Sequence, residues 1–352
     1  MSNPFKHKIT LVAVAAAFLA LCSAPLRAAD EPTELIVMHW NTENLFDADD
    51  DPDNAGDDEF LSHTFKLWTP ERYQRKLDHL AEILIPLKAD FITVSEVENR
   101  RVLEDLAARV TKGNGVAYPY IIHREGPDHR GIDVAIISRY PAVSTNWLTP
   151  VATQRDLLFA DFEINGAPLT LCVNHWKSHF GTPHETLPVR MKQAQAVRAE
   201  VDRRMAKASD AAIVVLGDFN DDFEAATLIL GLKSIADREA ALENPAENYL
   251  YNLHRGLRRG RDGTYYSRYG FSWRTFDSIS VTAGMLDEAR SRRAGWQVAP
   301  KSYRVYKPDK FKDERGRPKP FRRMRDWDTR ELVYVEGYSD HFPVVVTLKR
   351  RP

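Results

Sequence analysis

The chain has 352 residues, of which 43% are apolar, and its formal charge at neutral pH is −1. This length and apolar content supply a sizeable core and fit one large domain or two ordinary ones, and no long low-complexity tract is present. A charge so close to zero leaves any attraction to a polyanion to local patches.

At the start, Lys6 and Lys8 precede an apolar run from Ile9 to Leu21 and then the small-residue segment Ala24 to Ala29. A basic start, a short apolar stretch and a small-residue exit describe a secretory signal peptide over residues 1–29, cleaved after Ala28 or Ala29. The run falls short of the ~20 residues that span a bilayer, so no permanent membrane anchor is expected. The mature protein, residues 30–352, is therefore expected in the periplasm or secreted. Lipidation at Cys22 is disfavoured by the bulk of Leu21. Without Cys22 only Cys172 remains, which excludes an internal disulfide. Its place in Leu169-Thr170-Leu171-Cys172-Val173 reads as a small buried apolar residue.

Short apolar runs follow in order. Leu35 to His39, Phe91 to Val94, Val134 to Ile137, Leu169 to Val173, Ile213 to Leu216, Ile279 to Val281 and Val344 to Val346 read as strands covered on both faces. Between them Tyr73, Leu77, Leu80, Ala81 and Leu84 recur at helical spacing, after a Thr69 cap with Pro70 and Glu71 in the first turn. Val102, Leu103, Leu106 and Val110 form a second helical face, and a third helix is expected from about Val189 to Met205. The pattern is α/β, with sheet layers covered by helices, in one mature domain.

Two segments interrupt it. Asp47 to Glu59 is acidic and does not have the spacing of a calcium-binding helix–loop–helix, so a solvated loop is the plainer reading and an extra cation site the other. Lys301 to Arg330 carries twelve Lys or Arg against five Asp or Glu. It reads as a solvated insertion or as a wall facing phosphate.

Polar clusters terminate the strands. They are His39 to Phe46, Ser95 to Asn99, Asn174 to Ser178, Gly217-Asp218-Phe219-Asn220-Asp221, Phe276-Asp277-Ser278 and Gly337 to Pro343. Any one of them reads equally well as a turn. Six together place polar groups where α/β sheets bind ligands. The oxygen donors Asn41, Glu96 and Asp340 suit Mg²⁺ or Mn²⁺. Asp218 can orient or deprotonate water, while His175 and His341 can meet charge on a phosphoryl oxygen or protonate a leaving group. Asn44 and Glu98 read as loop and capping residues, and Lys177 faces either phosphate or solvent.

In order and wording these clusters resemble the endonuclease/exonuclease/phosphatase superfamily, over Leu35 to Leu348. The superfamily includes deoxyribonuclease I, abasic-site endonucleases, neutral sphingomyelinases and inositol-polyphosphate phosphatases. The resemblance implies a four-layer α/β sandwich, two mixed β-sheets face to face and flanked by helices. It assigns Asn41 and Glu96 to the metal, with Glu96 the principal ligand and Asp340 nearby. It gives His175 to the scissile phosphate, Asp218 to the attacking water and Asn220 to the phosphate or water beside it. His341 stabilises the pentacovalent transition state, hydrogen-bonded to Asp277, and Arg130 lies in a stretch that lines the cleft.

These expectations describe an exported phosphodiesterase with nucleic acid as substrate and no protein partner indicated. The basic stretches Arg255 to Arg261 and Lys301 to Arg330 are candidates to follow a phosphate backbone, and Tyr265, Tyr266, Tyr269 and Trp273 either stack bases or pack the sheet edge. The alternative is a phospholipid, inositol-phosphate or small phosphate-ester hydrolase. No apolar hairpin for docking on a membrane is evident, which counts against lipid. A binding module without catalysis would have lost one of the six clusters, and all are intact.

Overall fold

The computed structural model describes residues 32–52, 54–256, 263–286, 295–326 and 329–351. The expected signal peptide, with Cys22, and residues 257–261 of the Arg255 to Arg261 stretch lie outside the described residues. All seven apolar runs are strands, most of them prolonged by the polar residues that follow.

One sheet contains β1 (Glu34–Leu45), β2 (Phe91–Val97), β3 (Tyr120–Ile122), β4 (Asp133–Ser138), β14 (Trp296–Val298), β15 (Arg304–Val305) and β18 (Val344–Arg350). The order is β14-β18-β1-β2-β4-β3, with β15 also paired to β18. The other contains β5 (Ser144–Leu148), β6 (Leu157–Ile164), β7 (Ala167–His175), β8 (Ile213–Asp218), β9 (Ser234–Ile235), β10 (Leu250–Asn252) and β13 (Asp277–Thr282), in the order β5-β6-β7-β8-β13-β10-β9. Two hairpins stand apart, β11 (Tyr265–Ser267) with β12 (Ser272–Arg274) and β16 (Phe321–Arg325) with β17 (Leu332–Glu336). Both sheets are mixed, since β1–β2 and β7–β8 are parallel whereas β1–β18 and β8–β13 are antiparallel.

Side-chain alternation along β7 shows how the layers stack. Leu169, Leu171 and Val173 join the core shared with the first sheet, where Phe91 and Phe162 meet at 4.7 Å. Cys172 points the other way, buried and unpaired, into a core with Val197 and Val201. These two belong to α3 (Pro183–Met205), while α1 (Pro70–Leu84) and α2 (Arg100–Asn114) cover the first sheet through Leu77, Leu80, Leu103 and Leu106. The result is the expected four-layer α/β sandwich, two mixed sheets flanked by helices.

Thr69 caps α1 by accepting the Arg72 N–H at 3.3 Å. Helix α3 begins at Pro183 rather than near Val189, because Thr182 and Glu185 form a reciprocal capping box and the helix then tolerates Pro188 in its interior. A proline in that place hides the true start from a reading of the sequence.

The two interrupting segments are less solvated than expected. In the acidic loop Asp47 and Asp57 are buried, and Asp57 Oδ2 accepts the Asp51 N–H at 2.7 Å. The basic segment contributes Phe311 to the core between Trp40 and Phe342. Several of its cations are spent on ion pairs, Lys310 with Glu82, Lys312 with Asp309 and Arg317 with Asp313. It is a structural part of the sandwich, not a solvated insertion.

Candidate active site

Strands β7, β8 and β13 end side by side, and their register sets His175 opposite Asp218 and Asp218 opposite Asp277. All three side chains are buried. The preceding Gly217 has φ 152°, and a Cβ there would lie 2.1 Å from the Asn174 carbonyl oxygen. Only glycine lets β8 approach β7 closely enough to carry Asp218 into this row.

From the first sheet, β1 and β2 deliver Asn41 and Glu96. The β1–β2 register shifts between Asn41 and Leu45, and the β2–β4 register shifts between Ser95 and Val97. Glu43, Asn44 and Glu96 take left-handed backbone, with φ of 55°, 58° and 60°. A non-glycine residue held there costs on the order of 1–3 kcal/mol, and such strain collects at functional sites. These irregularities turn Glu96 across to the second sheet, with Oε1 3.8 Å from His175 Nε2. Asn41 Nδ2 donates to Glu96 Oε1 at 3.2 Å and to Asp218 Oδ2 at 2.9 Å, while its Oδ1 accepts the Glu43 N–H at 2.9 Å. In that orientation Asn41 tethers the two carboxylates.

His341 arrives on the loop before β18. Ser339 Oγ donates to the Asn41 carbonyl at 2.7 Å and accepts the His341 N–H at 3.1 Å. His341 Nδ1 bonds Asp277 Oδ2 at 2.7 Å, and Nε2 lies 4.0 Å from Asp218 Oδ2 and 3.9 Å from Asp340 Oδ1. Tyr265 covers the imidazole at 4.8 Å.

The two histidines are driven apart electrostatically. Burial opposes charge on His341, but Asp277 and Asp218 outweigh it and hold its pKa well above the ordinary value. Burial, reinforced by Arg155 and Arg130, pushes His175 well below its ordinary value, so it stays neutral. Burial pushes the Asp218 carboxyl up to about 7, with Asp277 adding to the effect and His341 opposing it. His39 beneath the row is pushed down to about 4, chiefly by burial.

The remaining predicted residues fall around this centre. Asn220 donates its N–H to Asp218 Oδ1 at 2.8 Å and its Nδ2–H to the Trp176 carbonyl at 3.0 Å. Asp340 Oδ2 is engaged by Arg322 at 2.8 Å. Arg130 and Lys177 line an open cleft of about 520 Å³ together with His129, Arg155 and Phe180. Arg130 Nη2 donates to Asn44 Oδ1 at 2.6 Å, and Lys177 Nζ to the Phe180 carbonyl at 3.2 Å.

Four residues at the site escaped the sequence reading. Arg155 is buried against Asp128 at 2.8 Å, and its Nη2 lies 3.2 Å from His175 Nε2. Glu43 and Lys76 are buried beside the pocket, and Arg322 enters it from β16. Glu43 had a signal, since it stands in the same strand-end cluster as Asn41. The expectation of no apolar hairpin is also corrected. Between β11 and β12, Tyr269 is fully exposed and Phe271 is 70% exposed, on the hairpin whose other end carries Tyr265 onto His341. Tyr266 and Trp273 pack on each other at 5.4 Å, as a sheet-edge role requires.

The donors suit a hard divalent cation. Glu96 and Asp218 offer oxygen donors tethered by one amide, and buried Asp218 is approached by neutral His175 at 3.7 Å and charged His341 at 4.0 Å. A carboxyl that burial raises to about 7, despite the opposing charge of His341, is one that a cation would stabilise as the anion. Asp218, Asp277 and His341 also bring potential ligand atoms within 4.8 Å of one another, although Asp277 is already bonded to His341.

The fold has known counterparts. No curated protein matches the chain by sequence. Among solved structures it resembles a variant of beta toxin from Staphylococcus aureus with bound magnesium ions, at TM-score 0.54 and 15% identity, covering 89% of this chain and 99% of that one. It also resembles TDP2 from D. rerio complexed with a single-strand DNA product, at TM-score 0.50 and 15% identity over 90% of this chain and 100% of that one. The mannosyl-6-phosphatase Bt3783 of Bacteroides thetaiotaomicron aligns at TM-score 0.50 and 17% identity, over 89% and 99%. At such identities these likenesses speak for the fold. The model of the Endonuclease/Exonuclease/phosphatase family matches residues 36–350, and the chain belongs to that family of phosphoester hydrolases.

Proposed function

We propose that the protein is an exported, divalent-metal-dependent phosphodiesterase that cleaves nucleic acid. The observation that carries the hydrolytic part is the meeting of Glu96, Asp218, His175 and His341 in one buried pocket, within 4.0 Å of one another through successive neighbours. Glu96 is the main ligand for Mg²⁺ or Mn²⁺, which when bound polarises a phosphoryl oxygen. Asp218 Oδ2 orients the attacking water and takes its proton, while the Asn220 N–H fixes the other carboxylate oxygen. Charged His341, held by Asp277, donates from Nε2 to the oxygen on which charge develops. Neutral His175 and the Arg155 guanidinium line the phosphate side, and Arg130 and Lys177 extend positive charge along the cleft.

Nucleic acid is favoured because a cleft with three cationic side chains beside the centre suits a substrate with phosphates flanking the scissile one. The basic segment 301–330 supports it less, since several of its charges are neutralised within the fold. A second reading, hydrolysis at a phospholipid surface, is favoured by Tyr269 and Phe271 at the tip of the hairpin whose base packs Tyr265 on the catalytic histidine.

The test is hydrolysis of bis-p-nitrophenyl phosphate with Mg²⁺ or Mn²⁺, then of plasmid DNA, single-stranded DNA, RNA, sphingomyelin and inositol phosphates. Full activity in EDTA would sink the metal reading. Cleavage of sphingomyelin alone, lost in Tyr269→Ser/Phe271→Ser, would replace nucleic acid with lipid. Export is tested separately, by the mass of the mature chain recovered from the periplasm or medium.

A further inference from the structure

Two carboxylates at the mouth of the pocket already hold a cation. Arg322 Nη1 lies 2.9 Å from Glu43 Oε1 and 2.8 Å from Asp340 Oδ2. The Phe321 N–H donates to the other Glu43 oxygen at 2.6 Å, so backbone and side chain of the β16–β17 hairpin grip one carboxylate together. The hairpin is anchored, because Phe321 is buried against the rings of Trp68, His79 and Tyr334, each at 5.8 Å. From beneath, the fully buried Lys76 Nζ donates to the carbonyls of Glu43 at 3.3 Å and Tyr338 at 2.9 Å, on the segments that carry Glu43 and Asp340.

The formal charges then sort into pairs. Glu43 and Asp340 are matched by Arg322 and Lys76, and Asp277 is matched by charged His341. Glu96 and Asp218 are left over, two negative charges tethered by the Asn41 amide. One divalent ion balances them, and a second would have no unmatched carboxylate. We infer that Arg322 is a built-in cation filling the Glu43–Asp340 half of the pocket, and that the protein therefore takes a single divalent ion, on the Glu96–Asp218 half.

Chemistry favours the guanidinium in this role. Arginine stays charged at every working pH, so the Nη1 that bridges both carboxylates cannot be titrated out of the site. A metal in its place would have to expel the side chain and unpair the clamp at Phe321. The side chain is 38% exposed, so it also opens onto a neighbouring pocket of about 150 Å³ lined by Phe60, Phe65, Trp68 and Tyr334. The inference rests on the metal-dependent reading above.

It is tested on the full chain by Mn²⁺ binding, read by calorimetry and electron paramagnetic resonance. The wild type is expected to bind one ion, lost in Glu96→Gln. Arg322→Ala is expected to bind two, the second lost again in Arg322→Ala/Glu43→Gln. Because removing the cation between buried Glu43 and partly buried Asp340 can prevent folding, Arg322→Gln, which keeps hydrogen-bonding capacity, carries the same expectation. Arg322→Lys, which keeps the charge, should bind one ion. A wild type that binds two ions, or a folded Arg322→Ala or Arg322→Gln that binds one, overturns the inference and leaves the metal reading intact. A wild type that binds none overturns the metal reading and this inference with it.

Discussion

His341 Nδ1 and Asp277 Oδ2 are 2.7 Å apart and both buried, Asp277 opening β13 of one sheet and His341 on the loop that leads into β18 of the other. The carboxylate orients the imidazole and favours its charged form, so that Nε2 carries a proton toward the pocket. A group whose pKa is raised is protonated below that pKa and loses its proton as pH rises through it. Activity that needs charged His341 should therefore fall on the alkaline side. Asp277→Asn removes the raising charge, so this alkaline limb is expected to move to lower pH and kcat to drop roughly 10²–10⁴-fold. The pH profile of kcat decides the matter, and an unmoved limb would mean that His341 is not the acid.

Asp218 gives a second expectation. With its carboxyl up at about 7 in the metal-free protein, it is largely protonated at about pH 6. A cation binding beside it must displace that proton, so metal affinity should rise with pH through this range. Calorimetry at about pH 6 in buffers of different ionisation enthalpy should register proton release on Mn²⁺ binding, vanishing by about pH 9. Asp218→Asn should bind more weakly and release no proton. Equal release from the wild type and the variant would assign the proton elsewhere.

Much of this site was legible because strand ends carry short polar words. Glu96 and Asp218 close apolar runs, whereas Asp277 and His341 stand just before theirs, and alternation along each run fixes which way the chain faces. What the sequence withheld depends on contacts between distant segments. Arg155 has no motif around it, and only the fold sets it against Asp128 and His175. Arg322 sits in a basic stretch whose composition resembles a solvated surface, yet it is gripped by residues 279 and 18 positions away. The amide orientation of Asn41 was withheld for a local reason, because the Glu43 N–H two residues on claims its oxygen. The edge strands β3 and β5 were missed in part because half-exposed runs such as Ser144–Leu148 lack a continuous apolar pattern.

Glu98 is a buried carboxyl with a backbone donor and acidic neighbours. Burial raises its pKa from 4.5 to about 8, the Asp47 N–H opposing and the Asp47 and Asp57 charges adding. A folded-state pKa above the unfolded one means that the associated stability is complete below the unfolded value and is lost as pH rises through the folded one. The window is therefore about 4.5 to 8. Glu98→Gln should be close to neutral at the acid end and more stable than the wild type above the window, by up to a few kcal/mol. Thermal midpoints of both proteins against pH check this, and parallel curves would show that Glu98 is not buried in its charged form at high pH.

The Arg155–Asp128 pair lies almost wholly out of water, with side-chain exposures of 3% and 1%. Arg155 Nη2 also donates to the Trp176 carbonyl at 3.1 Å, which anchors the chain just beyond His175. Removing one member of a buried pair strands the other, at roughly 3–5 kcal/mol, whereas exchanging both for apolar residues of similar volume is often neutral. Arg155→Ala and Asp128→Ala should each lower stability by about that much, measured by urea unfolding. Arg155→Met/Asp128→Leu should recover most of the loss in stability and still lack the cation that, with burial, holds His175 neutral on the phosphate side, so its activity should stay low. If the double variant is no more stable than the singles, the pair is not what makes each single change costly. If it regains full activity, Arg155 has no part in setting the charge of the phosphate side.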